Sequence, residues 1–584
     1  MPIAVFRAAE GFDVQLLRPD GQPASEPRRL TPERFVSMAR HPDNAAQTYV
    51  LERSRYPCIE LRTLGLRLRR AHDLWLIRRI LRNSPFSPDS PYVRSLRAAA
   101  EPRLAADPED RPWLREAPMS QDALFEAATP GRGRPAPVPG LPNASARGHN
   151  ARTATSVHDV AREYRAQIEA IAASADPRRL GLLVRAESAG ALVAADLEYD
   201  GLPWDRAEHE RLLVERVGPR VPDGVRPREL ELRAQEIERL LGVGPVNPDS
   251  PADLLRALKR AGFGVSSTRK WELRPLADHE AIARILDYKK VSRLATANGW
   301  AWLDTWVHGG RLRSEYVPGG VPSGRWVSLG GGLMQLPREL RATVRADPGR
   351  RLVVADVSQL EPRVLAAMSR DSALAEAARG HDLYQNIADE AFEGQRGHAK
   401  IAVLGAIYGA TTGEAGAYMP VLSRAYPQAV ALVAKAAHDG ELGLQVQSLL
   451  GRGTPVDGVS QAQAESLDPV PRSAPEGAGA KARGRFARNF VVQGTAAEWA
   501  LCWLGTIRTR LLDEFGGAGP RPTAELVYFL HDEVILHVDE DAVDAAVRLV
   551  SEAADQATRT MFGEIPVDFP LSTAAVTVYA ETKE

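Results

Sequence analysis

Two short apolar runs near the C-terminus, Leu526–Leu530 and Val534–Val538, are rich in β-branched and aromatic residues, and only His531, Asp532 and Glu533 part them. That pattern predicts two strands joined by a tight hairpin with carboxylates at its tip. A third run, Leu352–Ala355, predicts a buried strand. It ends at Asp356 and leads into a helix with Leu360, Val364, Leu365 and Met368 on one face. Helical spacing holds from Val157 to about Leu197. It returns as two charged helices within 206–242, broken by the proline-rich stretch 219–227. Ser250 and Pro251 mark a further helix start, because a serine cap followed by proline suits a first turn. Residues 1–127 read as a mixed α/β unit. The stretches 128–156 and 453–480 are rich in Pro, Gly, Ala and Ser without an apolar period, and read as flexible linker or loop.

Composition narrows the class. The 584 residues suffice for about four structural units. A hydrophobic share of 44% and a charged share of 26% exclude collagen-like, mucin-like and wholly disordered chains. Two cysteines, Cys58 and Cys502, are too few for a disulfide scaffold or a cysteine-ligated zinc site, and they fit a reducing compartment. With no signal-peptide pattern and no apolar run of about 18 residues, a cytoplasmic location away from membranes is expected. Net charge is −1, yet residues 1–190 hold 29 arginines and no lysine against 22 acids. A GC-rich genome explains this arginine use as well as phosphate binding does, so each basic site has to be argued separately.

Three segments carry chemistry. Asp356, leaving a buried strand, stands where it can reach a ligand, although an Asp there can also be a plain helix cap. Acids in a hairpin turn, such as Asp532, are commonly turn formers. Two sheet-edge aspartates together could hold a pair of Mg²⁺ ions about 4 Å apart, the arrangement that clamps the attacking and leaving oxygens of phosphoryl transfer. In RGHAKIAVLGAIYG, 396–409, Arg396, Lys400, Leu404 and Tyr408 recur every four residues. At 100° per residue they form one slowly spiralling stripe roughly 18 Å long, enough for two cations to meet a triphosphate and a ring to lie near a base. The alternative is an amphipathic helix with a solvated basic edge. Gly405 and Gly409 hint at close packing against that helix.

In order and spacing these segments resemble the signature motifs of the DNA polymerase I family, family A. ADVSQLEPR resembles the first palm motif, RGHAKIAVLGAIYG the fingers motif, and FLHDE the second palm motif. RFARNFVVQGTAAE (485–498) and GRLRSEYVPGGVPSGRWVS (310–328) resemble two further family segments. LEYDGLPWD (197–205) and NPDSPADLLRAL (247–258) look like the entries to palm and thumb. The resemblance runs from about 190 to the C-terminus. It implies an α/β multidomain protein: a right-hand polymerase with an antiparallel β palm and helical thumb and fingers, preceded by an RNase H-like α/β domain at 1–190. The polymerase is expected at 191–584, with the thumb about 206–289, the palm about 290–370 and 485–584, and the fingers about 371–484.

The resemblance also implies roles. Asp356 and Asp532, with the Val357 carbonyl, would hold two Mg²⁺ ions, Mn²⁺ being able to substitute, and Glu533 would support them. Arg396 and Lys400 would bind the dNTP triphosphate, Lys400 also protonating the leaving pyrophosphate. Tyr408 would lie near the nascent base pair, and Glu361 would crowd the 2′ position of the sugar. Leu404 and Tyr384 would border the nucleotide. Arg325, Arg485, Asn489 and Gln493 would touch primer-template DNA, and His531 the primer terminus. A monomer in the bacterial cytoplasm, at the nucleoid, is expected. Val357, Pro362, Leu404, Tyr384 and Glu498 depart from the family's usual residues, and Leu404 puts its sugar-stacking contact in doubt.

Residues 1–190 stand where the family often carries a 3′–5′ exonuclease. Proofreading by two metals needs clustered carboxylates. No D-x-E occurs near the first strand, Tyr164 or a neighbour stands where an Asp is expected, and Asp73 matches a non-ligand position. A degenerate platform without proofreading is therefore expected, as is the absence of a 5′-nuclease. Asp13, Glu52 or Asp159 could still converge in space and give a bifunctional enzyme. A non-catalytic DNA-binding relative is the reading from another class, but both palm aspartates are present. Glu361 beside the sugar speaks against a single-subunit RNA polymerase.

Overall fold

Short runs of buried residues along the first two strands build the N-terminal sheet. The computed structural model describes residues 1–99, 154–222, 224–329, 332–409, 413–456, 478–516 and 522–582. Five strands, β1 (Ile3–Ala8), β2 (Gly11–Leu16), β3 (Arg28–Leu30), β4 (Thr48–Leu51) and β5 (Arg70–Asp73), lie in the order β3-β2-β1-β4-β5. The first three pair antiparallel, and β4 and β5 continue parallel to β1. Helix α1 (Leu74–Asn83) follows directly. Its cap Asp73 accepts from the N–H groups of Leu76 at 3.0 Å and Ser54 at 2.7 Å.

The helical stretch expected from Val157 to Leu197 is two helices, α2 (Val157–Ala172) and α3 (Pro177–Asp200). Pro177 cannot donate to the preceding turn, and Asp176 caps a new one. Helix α3 is buried along most of its length and is the seam between the N-terminal unit and the rest. Arg55 bonds Glu198 at 2.7 Å and Glu315 at 2.9 Å, Arg67 bonds Asp200 at 3.1 Å, and Arg508 bonds Asp196 at 2.8 Å. Two arginines of residues 1–190, Arg55 and Arg67, are thus spent on acids beyond 190.

Next come α4 (Arg206–Arg216), α5 (Arg228–Leu241), α6 (Pro251–Arg260) and α7 (Glu280–Ala297). Ser250 caps α6 with Pro251 in its first turn, as the sequence predicts. Strands β6 (Glu315–Val317) and β7 (Val327–Leu329) form a hairpin. Strands β8 (Arg350–Val357), β9 (Ala524–Leu530), β10 (Glu533–Asp539) and β11 (Leu571–Val576) form an antiparallel sheet in the order β9-β10-β8-β11. Between β8 and β9 lie α8 (Leu360–Ser369), α9 (Leu383–Ala391), α10 (Arg396–Tyr408), α11 (Gly413–Ala425), α12 (Pro427–Glu441) and the 37-residue α13 (Ala478–Glu514). Helix α14 (Val543–Phe562) packs beside α13. One apolar core runs from α3 to the C-terminus, and the N-terminal unit has smaller cores of its own.

Three expected domain boundaries lie within helices. Positions 190/191, 289/290 and 484/485 fall inside α3, α7 and α13. A continuous helix carries the chain between units there, and composition does not mark the crossing. Most of the two linker-like stretches lies outside the described residues. Their described ends are structured: Thr454 is buried and residues 478–480 open α13. Both cysteines are free and buried. No described helix is long and apolar enough to cross a membrane.

Candidate active site

The β8 edge and the β9–β10 hairpin gather the acids. Asp356 is the penultimate residue of β8 and pairs with Glu533 on one side and Ser572 on the other. Only His531 and Asp532 make the turn. Glu533 already begins β10, so the tip is one residue shorter than expected. His531 takes a left-handed φ of 56°, and Val357 N–H donates to the Asp532 carbonyl at 2.9 Å, tying the turn to the strand end. Asp356 is not a helix cap; Gln359 holds that position before α8.

Burial holds the Asp356 and Glu533 carboxyls above their ordinary range. Asp532 is pushed up to about 7, by burial first and by the neighbouring Asp356 charge second. The Tyr579 hydroxyl donates to Glu533, and the Arg341 guanidinium lies 4.5 Å from the Tyr579 ring centroid. Neither Asp356 nor Asp532 has an ion-pair partner among the described residues. Nor do three or more His, Cys, Asp or Glu residues there form a metal cage. Two neighbouring half-buried carboxylates are instead a donor set that suits Mg²⁺, which keeps waters and is completed by substrate phosphates.

Helix α10 presents the basic stripe. Arg396, Lys400 and Tyr408 are exposed and Leu404 half-buried. Arg396 Nε donates to Asp382 at 2.8 Å, and its guanidinium stands 5.6 Å over the Tyr384 ring. Tyr384 is itself buried and forms a floor under Arg396. Lys400 has no ion-pair partner among the described residues. The Tyr408 hydroxyl donates to one Glu361 oxygen at 2.6 Å, and Arg325 donates to the other. Gly409 is the left-handed cap of α10, not an interior residue, with the Arg485 and Arg488 side chains against it. Asn489 and Gln493 are buried on α13, and Asn489 Oδ1 has no partner. His531 is exposed at the turn.

Arg363 ends the ADVSQLEPR segment, whose sequence alone assigns it no role. It is wholly buried, and its five N–H groups meet five backbone carbonyls: Ser358, Ala378, Asp568, Gly380 and His381. Arg341 and Tyr579 carried no sequence signal at all, because they reach the acids from a 3₁₀ turn and the C-terminal segment. In the N-terminal unit the acids left open do not gather. Asp13 pairs with Arg29, Asp159 with Arg162, and Glu52 shares Arg78 with Glu163.

Residues 227–576 match the family model described as DNA polymerase family A, which covers more than half the chain. The chain belongs to DNA polymerase family A. Among its family A relatives, DNA polymerase I of Chloroflexus aurantiacus is 28% identical over 429 residues, 68% of this chain and 43% of that protein. The thermostable DNA polymerase I of Thermus filiformis is 28% identical over 387 residues, 59% of this chain and 42% of that protein. The chain therefore spans less than half the length of these two. The polymerase domain of Pol1 from M. smegmatis, in complex with DNA primer-template and dNTP, shares the fold. Its TM-score is 0.65 at 19% identity, covering 99% of this chain and 95% of that one. The antiparallel sheet with helical flanks is thus the family A polymerase fold.

Proposed function

We propose that this chain is a DNA-templated DNA polymerase that joins a dNTP to a primer 3′-OH and releases pyrophosphate. The carrying observation is the half-buried Asp356–Asp532 pair, without an ion-pair partner among the described residues, beside a helix that presents Arg396 and Lys400. The relatives' names and the neighbour's bound primer-template and dNTP support the same reading. Thumb, palm and fingers are assigned to α4–α7, the β8–β11 sheet with α13 and α14, and α9–α12.

Asp356, Asp532 and the Val357 carbonyl are the groups that would hold two magnesium ions. Bound there, the metal supplies Lewis acidity toward the attacking and leaving oxygens. Tyr579 fixes Glu533 beside that pair. Arg396 and Lys400 bind the triphosphate, and Lys400 Nζ hands a proton to the departing pyrophosphate. Glu361 fills the space beside the sugar C2′, and Tyr408 is anchored to it. Leu404 is too small to stack as an aromatic would. Arg325, Arg485 and His531 meet the primer-template. Asn489 and Gln493, buried on α13, are assigned to the same primer-template contact. The enzyme works as a monomer in the cytoplasm, at the nucleoid. The N-terminal unit is a degenerate exonuclease-like platform, supported by Arg78 neutralising Glu52 and Glu163.

Primer extension tests this. Labelled primer-template with Mg²⁺ and dNTPs should grow in a template-directed way and stop when a complementary dNTP is withheld. No extension with either Mg²⁺ or Mn²⁺ by folded protein would overturn the reading.

A further inference from the structure

The ion pair between Arg452 and Glu187 serves no step described above. Glu187, on α3, is 1% exposed and Arg452 is 8% exposed. Burying two charges costs desolvation that their attraction repays only in part, and an apolar pair of similar volume is often as stable. The location of the pair therefore calls for an account.

Two turns of the β6–β7 loop rest on it. A Cβ on Gly324 would stand 2.5 Å from Arg452 Nε, and one on Gly319 would stand 2.7 Å from Glu187 Oε1. Both glycines take left-handed φ, 86° and 59°. The backbone of 319–324 thus lies directly on the two charged groups, with no room for a side chain. The next residue is Arg325, which donates to Glu361 and whose charge acts on Asp532. On its other side Trp326 packs edge-on against Phe529 of β9, with ring centroids 5.0 Å apart.

Arg452 is itself fixed from α13. Ser448 Oγ donates to Glu498, and Leu450 N–H donates to the second Glu498 oxygen at 3.0 Å. Leu449 N–H donates to Thr495 Oγ1 at 3.0 Å, and Arg452 N–H donates to Ser448 Oγ at 2.9 Å. Glu498 is fully buried, so this clamp is shielded from water.

We infer that Arg452, held by Glu187 and by the Glu498–Ser448 clamp, is a positioning residue for Arg325. It sets the height of the 319–324 turn, and so the reach of Arg325 to Glu361 and to the primer-template. The second half of that statement rests on the polymerase reading. The chemistry of the acid pair does not pass through Arg452. Its loss should copy the loss of Arg325: weaker selection at the sugar and at a mismatched primer end.

The test is a double-mutant cycle on the full chain with Arg452→Met, Arg325→Ala and the double variant, with Arg452→Lys as the conservative arm. Insertion of a matched dNTP, a ribonucleotide and a dNTP on a mismatched end is measured, with circular dichroism and melting as folding controls. Arg452→Met is expected to lower matched kcat/KM about tenfold and to narrow the deoxy-to-ribo ratio, and Arg452→Lys to recover part of both. In the Arg325→Ala background the same change should cost less than about threefold, because the group it positions is gone. Effects that simply multiply overturn the inference, even if each single variant is slow. A second readout needs no catalysis. Amide hydrogen exchange at 319–326 should quicken about tenfold in Arg452→Met, and unchanged protection there overturns the inference. If the wild type fails to extend a primer, the polymerase reading falls, and the exchange arm still decides whether Arg452 seats the turn.

Discussion

Replacing Arg363 by lysine should loosen the chain around Asp356 more than any other conservative change near the site. The guanidinium is wholly buried. Nε donates to Ser358 O at 2.8 Å, Nη1 to Ala378 O at 2.6 Å and Asp568 O at 2.8 Å, and Nη2 to Gly380 O at 2.9 Å and His381 O at 3.0 Å. One side chain thus joins the residue two past Asp356, the approach to α9, and the segment before β11. A lysine has three hydrogens, so at least two of the carbonyls lose their partner where water does not reach. An orphaned buried carbonyl costs ~1–3 kcal/mol, so two give about 2–6 kcal/mol. Urea unfolding followed by tryptophan fluorescence reads this. A chain with several units need not unfold in one step, so the midpoint of the first transition is compared with wild type. Primer extension below that midpoint should also slow, since Ser358 follows the catalytic strand. A shift under about 1 kcal/mol with unchanged extension would refute the claim that these five bonds hold the segments together.

Other outcomes follow from the site. Asp532→Asn should abolish extension while leaving primer-template binding, read by anisotropy, within a few-fold. In metal-free protein folded Asp532 keeps its proton up to about 7 whereas the unfolded chain loses it near 3.8, so stability falls as pH rises through that window. The asparagine does not titrate, so melting at pH 8 should show it more stable than wild type by up to about 4 kcal/mol; equal or lower melting would contradict the burial argument. Arg396→Ala and Lys400→Ala should each lose about tenfold or more in kcat/KM for dNTP, Lys400→Ala mostly in kcat, and unchanged steady-state values would make the stripe a solvated helix edge. Glu361→Ala should raise ribonucleotide insertion by orders of magnitude while freeing Arg325 and Tyr408, and an unaltered ratio in single-nucleotide assays would place the gate elsewhere. A mismatched 3′-labelled primer with Mg²⁺ or Mn²⁺ and no dNTP should stay intact; mononucleotides released by an Asp356→Ala protein would restore the bifunctional reading.

The sequence was most legible where local pattern and chemistry coincide. The apolar runs around Asp356 and Asp532 gave the strands and put the two acids at their ends, because short apolar runs and the polar break between them are local properties. The four-residue spacing from Arg396 to Tyr408 gave one helix face for the same reason. Partners were not legible. Nothing near Arg396 in the chain announces Asp382, and Tyr579 and Arg341 reach Glu533 only through tertiary folding. The continuity of α3, α7 and α13 across the expected boundaries was not legible either, because nothing in the local pattern fixes where a long helix ends. The arginine excess of the first 190 residues was visible, but its purpose was not. Counting charges cannot tell a phosphate contact from an ion pair whose acid lies far along the chain.

That seam of arginines and carboxylates along α3 has a consequence for ionic strength. Contacts to a nucleic acid backbone weaken steeply as salt displaces them, because they form at a solvated surface. The bonds from Arg55 to Glu198 and Glu315, and from Arg508 to Asp196, lie where counter-ions do not enter, with side chains no more than 12% exposed. Salt that strips a template from this protein should therefore leave its two halves locked. A chain cut before α3 would expose Glu198, Asp200 and Glu315 without the arginines of the first hundred residues, while Asp196 would keep Arg508. The first hundred residues thus act as a counter-ion of the core, and the core needs their charge.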